Sequence, residues 1–289
     1  MRSLLLAAAF GLFAGPALAD DKPVEIKFKP SKAGDKTRET VDEKTTTTVT
    51  AAVGGQEQTE KVESLEKLEY TEEVIEYPAD PKDKKGAVKL KRSYTEADAV
   101  EGDEKEGLGL AGKTVVITGK DGKYEYALDG GGDVTEAAKK HFDEEFRDNS
   151  VSDDDILPGK PVKIGDTWAI DVKKLLGSLP DGMTADAAGS SAGGKLTKVY
   201  QKDGKTFGVF EVTMELVLTK FKQEDEETAL KAGSKLTIET TYDGCIDGTS
   251  HEMTAKQVTK GELRPDVPEA ELVIKIESTR NSSTTEVGK

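Results

Sequence analysis

The sequence predicts a mainly β protein, a β-rich α+β fold in which long antiparallel strands follow one another as a meander. Three observations predict this fold class. Apolar and polar residues alternate over long runs, as in strands with one buried face. Asp-Gly pairs, which suit tight hairpin turns, separate such runs. Hydrophobic residues make up 35% of the chain and charged residues 34%, a balance that suits an extended sheet with one solvated face better than a thick core.

The first 19 residues have the three parts of a secretory signal. Arg2 gives the positive start, residues 4–13 form an apolar run, and Ala17-Leu18-Ala19 ends in the small residues that a signal peptidase reads. The run is shorter than the roughly 20 residues needed to span a bilayer. We therefore expect cleavage after Ala19, no integral membrane segment in the mature chain, and a periplasmic or extracellular location.

Turn signals divide the chain into two similar halves. Ala33-Gly34-Asp35 opens one series of alternating runs and Ile164-Gly165-Asp166 opens another. The expected segments are the signal peptide 1–19, an N-terminal β-half 20–157, a C-terminal β-half 158–279 and a disordered tail 280–289. We expect the two halves to form one continuous sheet or two sheets packed face to face.

The first predicted hairpin turns at Gly54-Gly55. It joins a Thr-rich run at 44–50 to a run that extends from 59 to 77. Residues 57–69 fit either a strand or a helix, because Val62, Leu65 and Leu68 also recur at helical spacing. The Gly-Gly turn and the alternation that continues afterwards favour the strand.

One principal helix is predicted near residues 134–147. Apolar residues recur there at helical spacing, and Asp133 or Thr135 could cap its start. A short helical turn is expected at Val172 to Leu176. Residues 177–194 are crowded with Gly and Ser and are predicted to form a mobile loop.

The clearest strand, residues 205–221, supplies a candidate apolar ligand face. Five residues share that face: Phe210, Val212, Met214, Leu216 and Leu218. If the helix covers them fully they are core. If the cover is partial, they could line a groove for a lipid or another apolar ligand.

Trp168, the single Trp of the chain, is open to two interpretations. It could bind a ligand or partner by stacking, or anchor the core at the start of a strand. The second interpretation is favoured, because a lone Trp in a chain with few aromatic residues is more often part of the core.

A sequence motif in the middle of the chain resembles one found in a known family. Pro158 is followed by alternating apolar residues and then by Gly165-Asp166-Thr167-Trp168, and a second motif upstream, at 112–118, precedes Asp121-Gly122. Together these resemble an uncharacterised family of exported bacterial β-rich proteins, a domain of unknown function, over about residues 24–279. The resemblance implies an architecture and a compartment but no site. A weaker structural analogy is to the half-barrels that carry lipids or lipoproteins through the periplasm.

The residues give little support to catalysis or metal binding. Cys245 is the single cysteine, so no intrachain disulfide can form, and a buried spectator thiol is favoured over a nucleophile or a dimer-forming thiol. His141 and His251 lie in no metal-binding spacing. The acidic runs at 143–145, 153–155 and 224–227 lack the spacing of a calcium loop and are interpreted as solvated surface.

The predicted function is therefore that of a non-enzymatic cell-envelope protein that acts through protein or surface interactions. A periplasmic carrier of a lipid or other apolar ligand is the alternative. A hydrolase that uses surface carboxylates is a second alternative. We expect no catalytic residue, no metal and no cofactor. The net charge of −15 opposes nucleic acid as a partner, and the chain is expected to be a monomer with an unknown protein or lipid partner.

Overall fold

The computed structural model describes residues 22–53, 56–78, 88–101, 107–146, 153–179, 182–223, 226–268 and 270–288. The predicted signal peptide and the Gly54-Gly55 turn lie outside these residues. In the part of the chain that the structure covers, no helix has both the length and the apolar character needed to cross a membrane.

Long strands dominate the structure, which confirms the mainly β fold class. The first five strands are Lys36–Val53 (β1), Gln56–Glu76 (β2), Val88–Glu101 (β3), Thr114–Lys120 (β4) and Lys123–Leu128 (β5). The others are Thr167–Ala169 (β6), Thr184–Lys202 (β7), Lys205–Gln223 (β8), Glu226–Ala229 (β9), Lys235–Cys245 (β10), Met253–Leu263 (β11) and Glu271–Glu286 (β12). The helices are Glu136–Glu145 (α1), Asp153–Ile156 (α2) and Val172–Leu175 (α3), and a 3-10 turn follows at Leu176–Ser178.

All twelve strands belong to one antiparallel sheet. Its order is β5-β4-β3-β2-β1-β12-β11-β10-β8-β7-β6, with β9 paired to β8. The join between the halves is the pairing of β1 with β12, which runs from Thr37 opposite Glu286 to Ala52 opposite Glu271. Of the two predicted arrangements, the continuous sheet is therefore the one that forms.

Both halves begin with the same hydrogen-bonded turn. At Gly34-Asp35 the Asp35 carboxylate accepts from the Lys32 N–H at 3.0 Å, and at Gly165-Asp166 the Asp166 carboxylate accepts from the Lys163 N–H at 2.9 Å. Both glycines have positive φ, 87° and 91°, a conformation that favours glycine. Each turn then pairs through two backbone hydrogen bonds with a residue of the second strand of its half, Val74 or Leu196.

The Asp-Gly hairpins form as predicted. Asp121 and Asp203 have φ of 54° and 51°, and each precedes a glycine of positive φ. Residues 57–69 lie within β2, so the strand interpretation was right. The principal helix is confirmed as α1, and α3 is the expected short turn.

Two predictions for irregular segments were wrong. Residues 184–194 belong to β7 rather than to a mobile loop, because β6 and β8 pair with β7 on its two sides. The tail expected at 280–289 is ordered as far as Glu286, because its polar residues pair with both β1 and β11. In each case, tertiary pairing satisfies the backbone of a sequence that has few apolar groups to bury.

The helices and the N-terminal segment pack on one face of the sheet, here called the inner face. Over the first half, α1 packs its own Phe142 against a cluster that includes Leu68, Tyr94 and Ile117. Over the second half, the cover comes from the segment 24–28, from Trp168 and from α3. The segment 24–28 was predicted to belong with the N-terminal half, but it bridges to Val162 and Asp247 in the other half.

Candidate functional site

The predicted apolar ligand face is closed core. Phe210, Val212, Leu216 and Leu218 are each at most 3% exposed, and Met214 is half-buried. The Phe210 ring lies 6.1 Å from Phe28 and 4.8 Å from Tyr242, measured between ring centroids. The cover is not the principal helix, because β8 lies far across the sheet from the strands on which α1 packs. Among the residues described, the protein's own side chains fill this face.

Trp168 is the core anchor that the sequence favoured. Its indole is 8% exposed, and Nε1 donates to the Ile156 carbonyl oxygen at 2.8 Å. Gly194 lies opposite on β7, and a Cβ added there would overlap the indole ring. Glycine at this position therefore makes room for the side chain that joins β6 and α2 to the core.

The acidic run at 143–145 is not solvated surface throughout, because Glu145 bonds to the buried Arg92 on the inner face, whereas the described side chains of the other two runs form ion pairs with lysines. Asp155 pairs with Lys174 at 3.1 Å and Glu227 pairs with Lys220 at 2.7 Å. The remaining residues of the 224–227 run lie outside the described side chains. Within the described ranges, no group of three or more His, Cys, Asp or Glu is placed to hold a metal ion.

Cys245 is buried at the end of β10, as the sequence interpretation expected. Its thiol donates to the Asp247 carboxylate at 3.1 Å, and that carboxylate also accepts from the Thr206 N–H at 2.6 Å. Burial opposes ionisation of Asp247, but these hydrogen bonds outweigh it and hold its pKa well below the ordinary value. The group is a tightly bonded turn beneath the β7–β8 hairpin.

A polar recess of about 570 Å³ lies on the outer face of the sheet. It crosses the six strands β3-β2-β1-β12-β11-β10, which places its ends about 24 Å apart at the usual strand spacing. Val41, Leu68 and Ser282 line it although their side chains alternate toward the inner face, so the main chain of the central strands forms its floor. We call it the outer recess.

Strand register arranges the outer recess as two rows that run across the strands. The first row has acidic ends and hydroxyls between them: Glu96, Glu69, Thr40, Ser283, Thr254 and Asp243. The second row carries the cations: Lys67, Asp42, Asn281, Lys256 and Thr241. Because side chains alternate between faces, these residues project together from the same side of the sheet.

Some groups of the outer recess are bonded and others are available to a partner. Glu69 pairs with Arg38, Asp243 accepts from the Tyr200 hydroxyl at 2.7 Å, and the Thr40 and Ser283 hydroxyls lie 2.7 Å apart. By contrast, Lys67 and Lys256 form no ion pair with any residue that the structure describes. The recess therefore offers charged donors beside carboxylate and hydroxyl acceptors.

On the inner face, directly behind these strands, charged side chains form a second feature. The inner charge cluster consists of Glu39, Glu43, Glu66, Glu72, Arg92, His141, Glu145 and Arg280. Arg92 is 4% exposed. Its guanidinium donates to Glu72 at 2.7 Å and to both oxygens of Glu145 at 2.7 Å. On β1 and β12, Arg280 and Ser278 donate to Glu43 at 3.0 and 2.8 Å.

The pKa values of the carboxyl groups in the cluster shift in different directions, although burial raises all of them. Burial raises the pKa of Glu39 and of Glu66 above 4.5, although Thr284 donates to Glu39 at 2.6 Å. Burial also works against the charge of Glu145, but the Arg92 guanidinium outweighs it and holds the pKa of Glu145 below 4.5. The cluster thus combines one carboxyl, Glu145, that loses its proton more readily than usual with two, Glu39 and Glu66, that hold their protons more readily than usual.

Sequence reasoning missed both the outer recess and the inner charge cluster. The sequence indicates only that His141 lies in no metal-binding spacing, whereas in the structure its Nδ1 lies 3.6 Å from a Glu66 carboxylate oxygen. The available signal was alternation itself, since Glu39, Val41 and Glu43 place acidic residues on the same side as an apolar one. The register that brings β1 beside β12 could not be seen, because the paired residues are more than 200 positions apart.

Comparison with known proteins does not assign this chain to a family. No family model matches the chain, and no curated protein matches it. Among solved structures, a DUF1329 family protein from Desulfovibrio piger is similar at 13% identity over 84% of each chain, with a TM-score of 0.12. The COG4313 outer membrane channel from Pseudomonas putida F1 is similar at 12% identity over 89% of this chain and 98% of that chain, with a TM-score of 0.15. Both scores are too low for either similarity to carry an argument about this chain.

Proposed function

We propose that this chain is an exported, non-enzymatic cell-envelope protein that binds another protein through the outer recess. The observation behind this proposal is the recess itself. It is a concave surface in which charged side chains that are available to a partner lie beside hydroxyl groups. The form of the first 19 residues supports export. An apolar site is not supported, because the stripe from Phe210 to Leu218 is covered by the protein's own side chains.

The lining of the outer recess favours a polypeptide as the partner. The two rows present carboxylates near both ends and lysines between them, so they complement a segment with basic residues spaced to reach Glu96 and Asp243 and an acidic residue between them that pairs with Lys67 or Lys256. An extended chain of about seven residues spans the roughly 24 Å between these ends. Among the residues that the structure describes, no aromatic side chain lines the recess, whereas stacking aromatics are common where proteins bind flat or apolar ligands.

Site-specific photo-crosslinking in the exporting host tests this function. A photoreactive residue replaces Asn281 in the recess or, as a control, Glu215 on the outer face of β8, where the side chain is exposed but lies outside the recess. We expect one discrete protein adduct from position 281 and none from position 215. Equal labelling from both positions, or none from either, would contradict the proposal.

A further inference from the structure

The inner charge cluster links the C-terminal end of α1 to the sheet through polar contacts. α1 ends at Glu145 and has no basic residue in its last turn, an arrangement that its own dipole disfavours. Arg92 of β3 supplies the missing positive charge through two hydrogen bonds to Glu145. Its guanidinium also lies 4.6 Å from the Tyr70 ring and 5.1 Å from the Phe146 ring, so it is held between the helix end and β2.

The charges that face one another across this contact do not balance. They come from α1 (His141, Glu145), β1 (Glu39, Glu43), β2 (Glu66, Glu72), β3 (Arg92) and β12 (Arg280). Five carboxylates face two guanidinium groups, which leaves a net charge of −3 when every carboxyl is ionised and the imidazole is neutral. An uncompensated charge in a partly buried site is costly unless protons or rearrangement relieve it.

Two positions show where relief is needed. Glu66 Oε1 and the Tyr94 hydroxyl are buried, and neither has a hydrogen-bond partner among the described residues. The other oxygen of Glu66 lies 3.6 Å from His141 Nδ1, and His141 Nε2 lies 3.9 Å from Glu145. A protonated imidazole would attract both carboxylates, and a protonated Glu66 would remove a charge that has no hydrogen-bond donor.

We propose that the inner charge cluster is a pH-sensitive clasp, in which proton loss from Glu66 and Glu39 as the pH rises loosens α1 from the inner face. With its protons in place, the cluster carries less net charge and the Arg92–Glu145 contact holds the helix end. Without them, repulsion between β1, β2 and the helix carboxylates opposes docking. Loosening α1 withdraws its own Phe142 from the sheet and uncovers Tyr94 and Tyr126, whose ring centroids lie 6.5 and 4.9 Å from that of Phe142.

The raised pKa of Glu66 and of Glu39 agrees with this direction. A group that is protonated more readily in the docked state contributes stability below its ordinary value of 4.5, and this contribution is lost as the pH rises through its raised value. Glu145 acts in the opposite direction. Because its pKa is lowered, Glu145 gains a proton, and so loses its ionic contact with Arg92, only at acid pH. The clasp is therefore tightest in a window between these two limits.

Amide hydrogen exchange of the full mature chain, measured by mass spectrometry and corrected for the intrinsic pH dependence of exchange, tests the clasp. The readout is the opening equilibrium of residues 136–145, relative to residues 205–218 of β8 as an internal reference. We expect the opening equilibrium of α1 to increase between about pH 5 and about pH 8. The increase should be about tenfold for each unit by which docking of α1 raises the pKa of Glu66 or Glu39. The reference segment should not change.

Two variants and one control make the result decisive. Glu66→Gln and Glu39→Gln each mimic the protonated carboxyl, so each should flatten the pH dependence of α1 opening and keep the helix docked at high pH. Glu215→Gln makes the same chemical change on the outer face of β8 and should keep the wild-type dependence. A flat wild-type profile, or an unchanged slope in both glutamine variants, would overturn the proposal.

Discussion

Arg92 is the residue whose loss should damage the structure most directly. The residue is 4% exposed, and its guanidinium makes three hydrogen bonds, each of 2.7 Å, to two carboxylates. Arg92→Leu keeps the apolar packing against Tyr70 but leaves Glu72 and Glu145 without their cation. Removing one partner of a buried ion pair costs about 3–5 kcal/mol. Because the Glu145 side chain is 35% exposed, water can compensate in part, and we expect about 3 kcal/mol.

The assay is urea unfolding, supported by thermal unfolding. For a chain of this size, a loss of about 3 kcal/mol corresponds to a decrease in Tm of about 6–12 °C. Arg92→Lys keeps the charge but cannot make the two-pronged contact, so it should lie between wild type and Arg92→Leu. The double variant Arg92→Leu/Glu145→Leu should recover part of the loss, since it removes a stranded carboxylate. If Arg92→Leu lowered the free energy of unfolding by less than about 1 kcal/mol, with an unchanged m-value, the prediction would be refuted. So small a loss is typical of a solvent-exposed ion pair.

Three further predictions follow from single contacts. Gly194→Ala should destabilise the chain by about 1–3 kcal/mol in urea unfolding, because the new methyl group displaces the Trp168 ring; an unchanged midpoint would contradict the tight fit. Trp168→Phe should cost about 1–3 kcal/mol, because the Ile156 carbonyl loses its donor, whereas an equally stable variant would mean that water replaces it. Burial opposes the charge of Asp35, but the hydrogen bonds with His251 and with the Lys32 N–H and the attraction of Lys29 together outweigh it, so folding lowers the pKa of Asp35 below 3.8; the contribution of Asp35 to stability is present above pH 3.8 and lost as the pH falls. Asp35→Asn should therefore flatten the acid limb of a stability-against-pH curve, and an unaltered limb would refute the assignment.

Local pattern was sufficient to predict most of the strands. In residues 205–221 the alternation specified both the strand and the buried face, and the Asp-Gly pairs fixed the turns, because left-handed backbone has strong residue preferences. The helix at 136–145 was visible for the same reason, since its apolar residues recur at helical spacing.

What the sequence could not predict depends on neighbours far along the chain. Residues 184–194 carry little apolar character, yet they form a strand because β8 presents a complementary edge. Residues 280–286 are Ser, Thr and Asn rich, yet they lie between β1 and β11 at the centre of the sheet. The outer recess and the inner charge cluster arise from this same central pairing. Alternation indicated which residues share a face, but not which strands lie side by side.

The role of the outer recess is tested most directly by reversing one charge inside it and one just outside it. Lys256 and Lys260 lie on the same face of β11, but Lys256 lines the recess and Lys260 does not. In the exporting host, with the photoreactive residue at position 281, we expect Lys256→Glu to abolish the protein adduct and Lys260→Glu to preserve it. An adduct that survives Lys256→Glu, or that both reversals weaken equally, would rule out binding in the recess and point to attraction by overall charge alone.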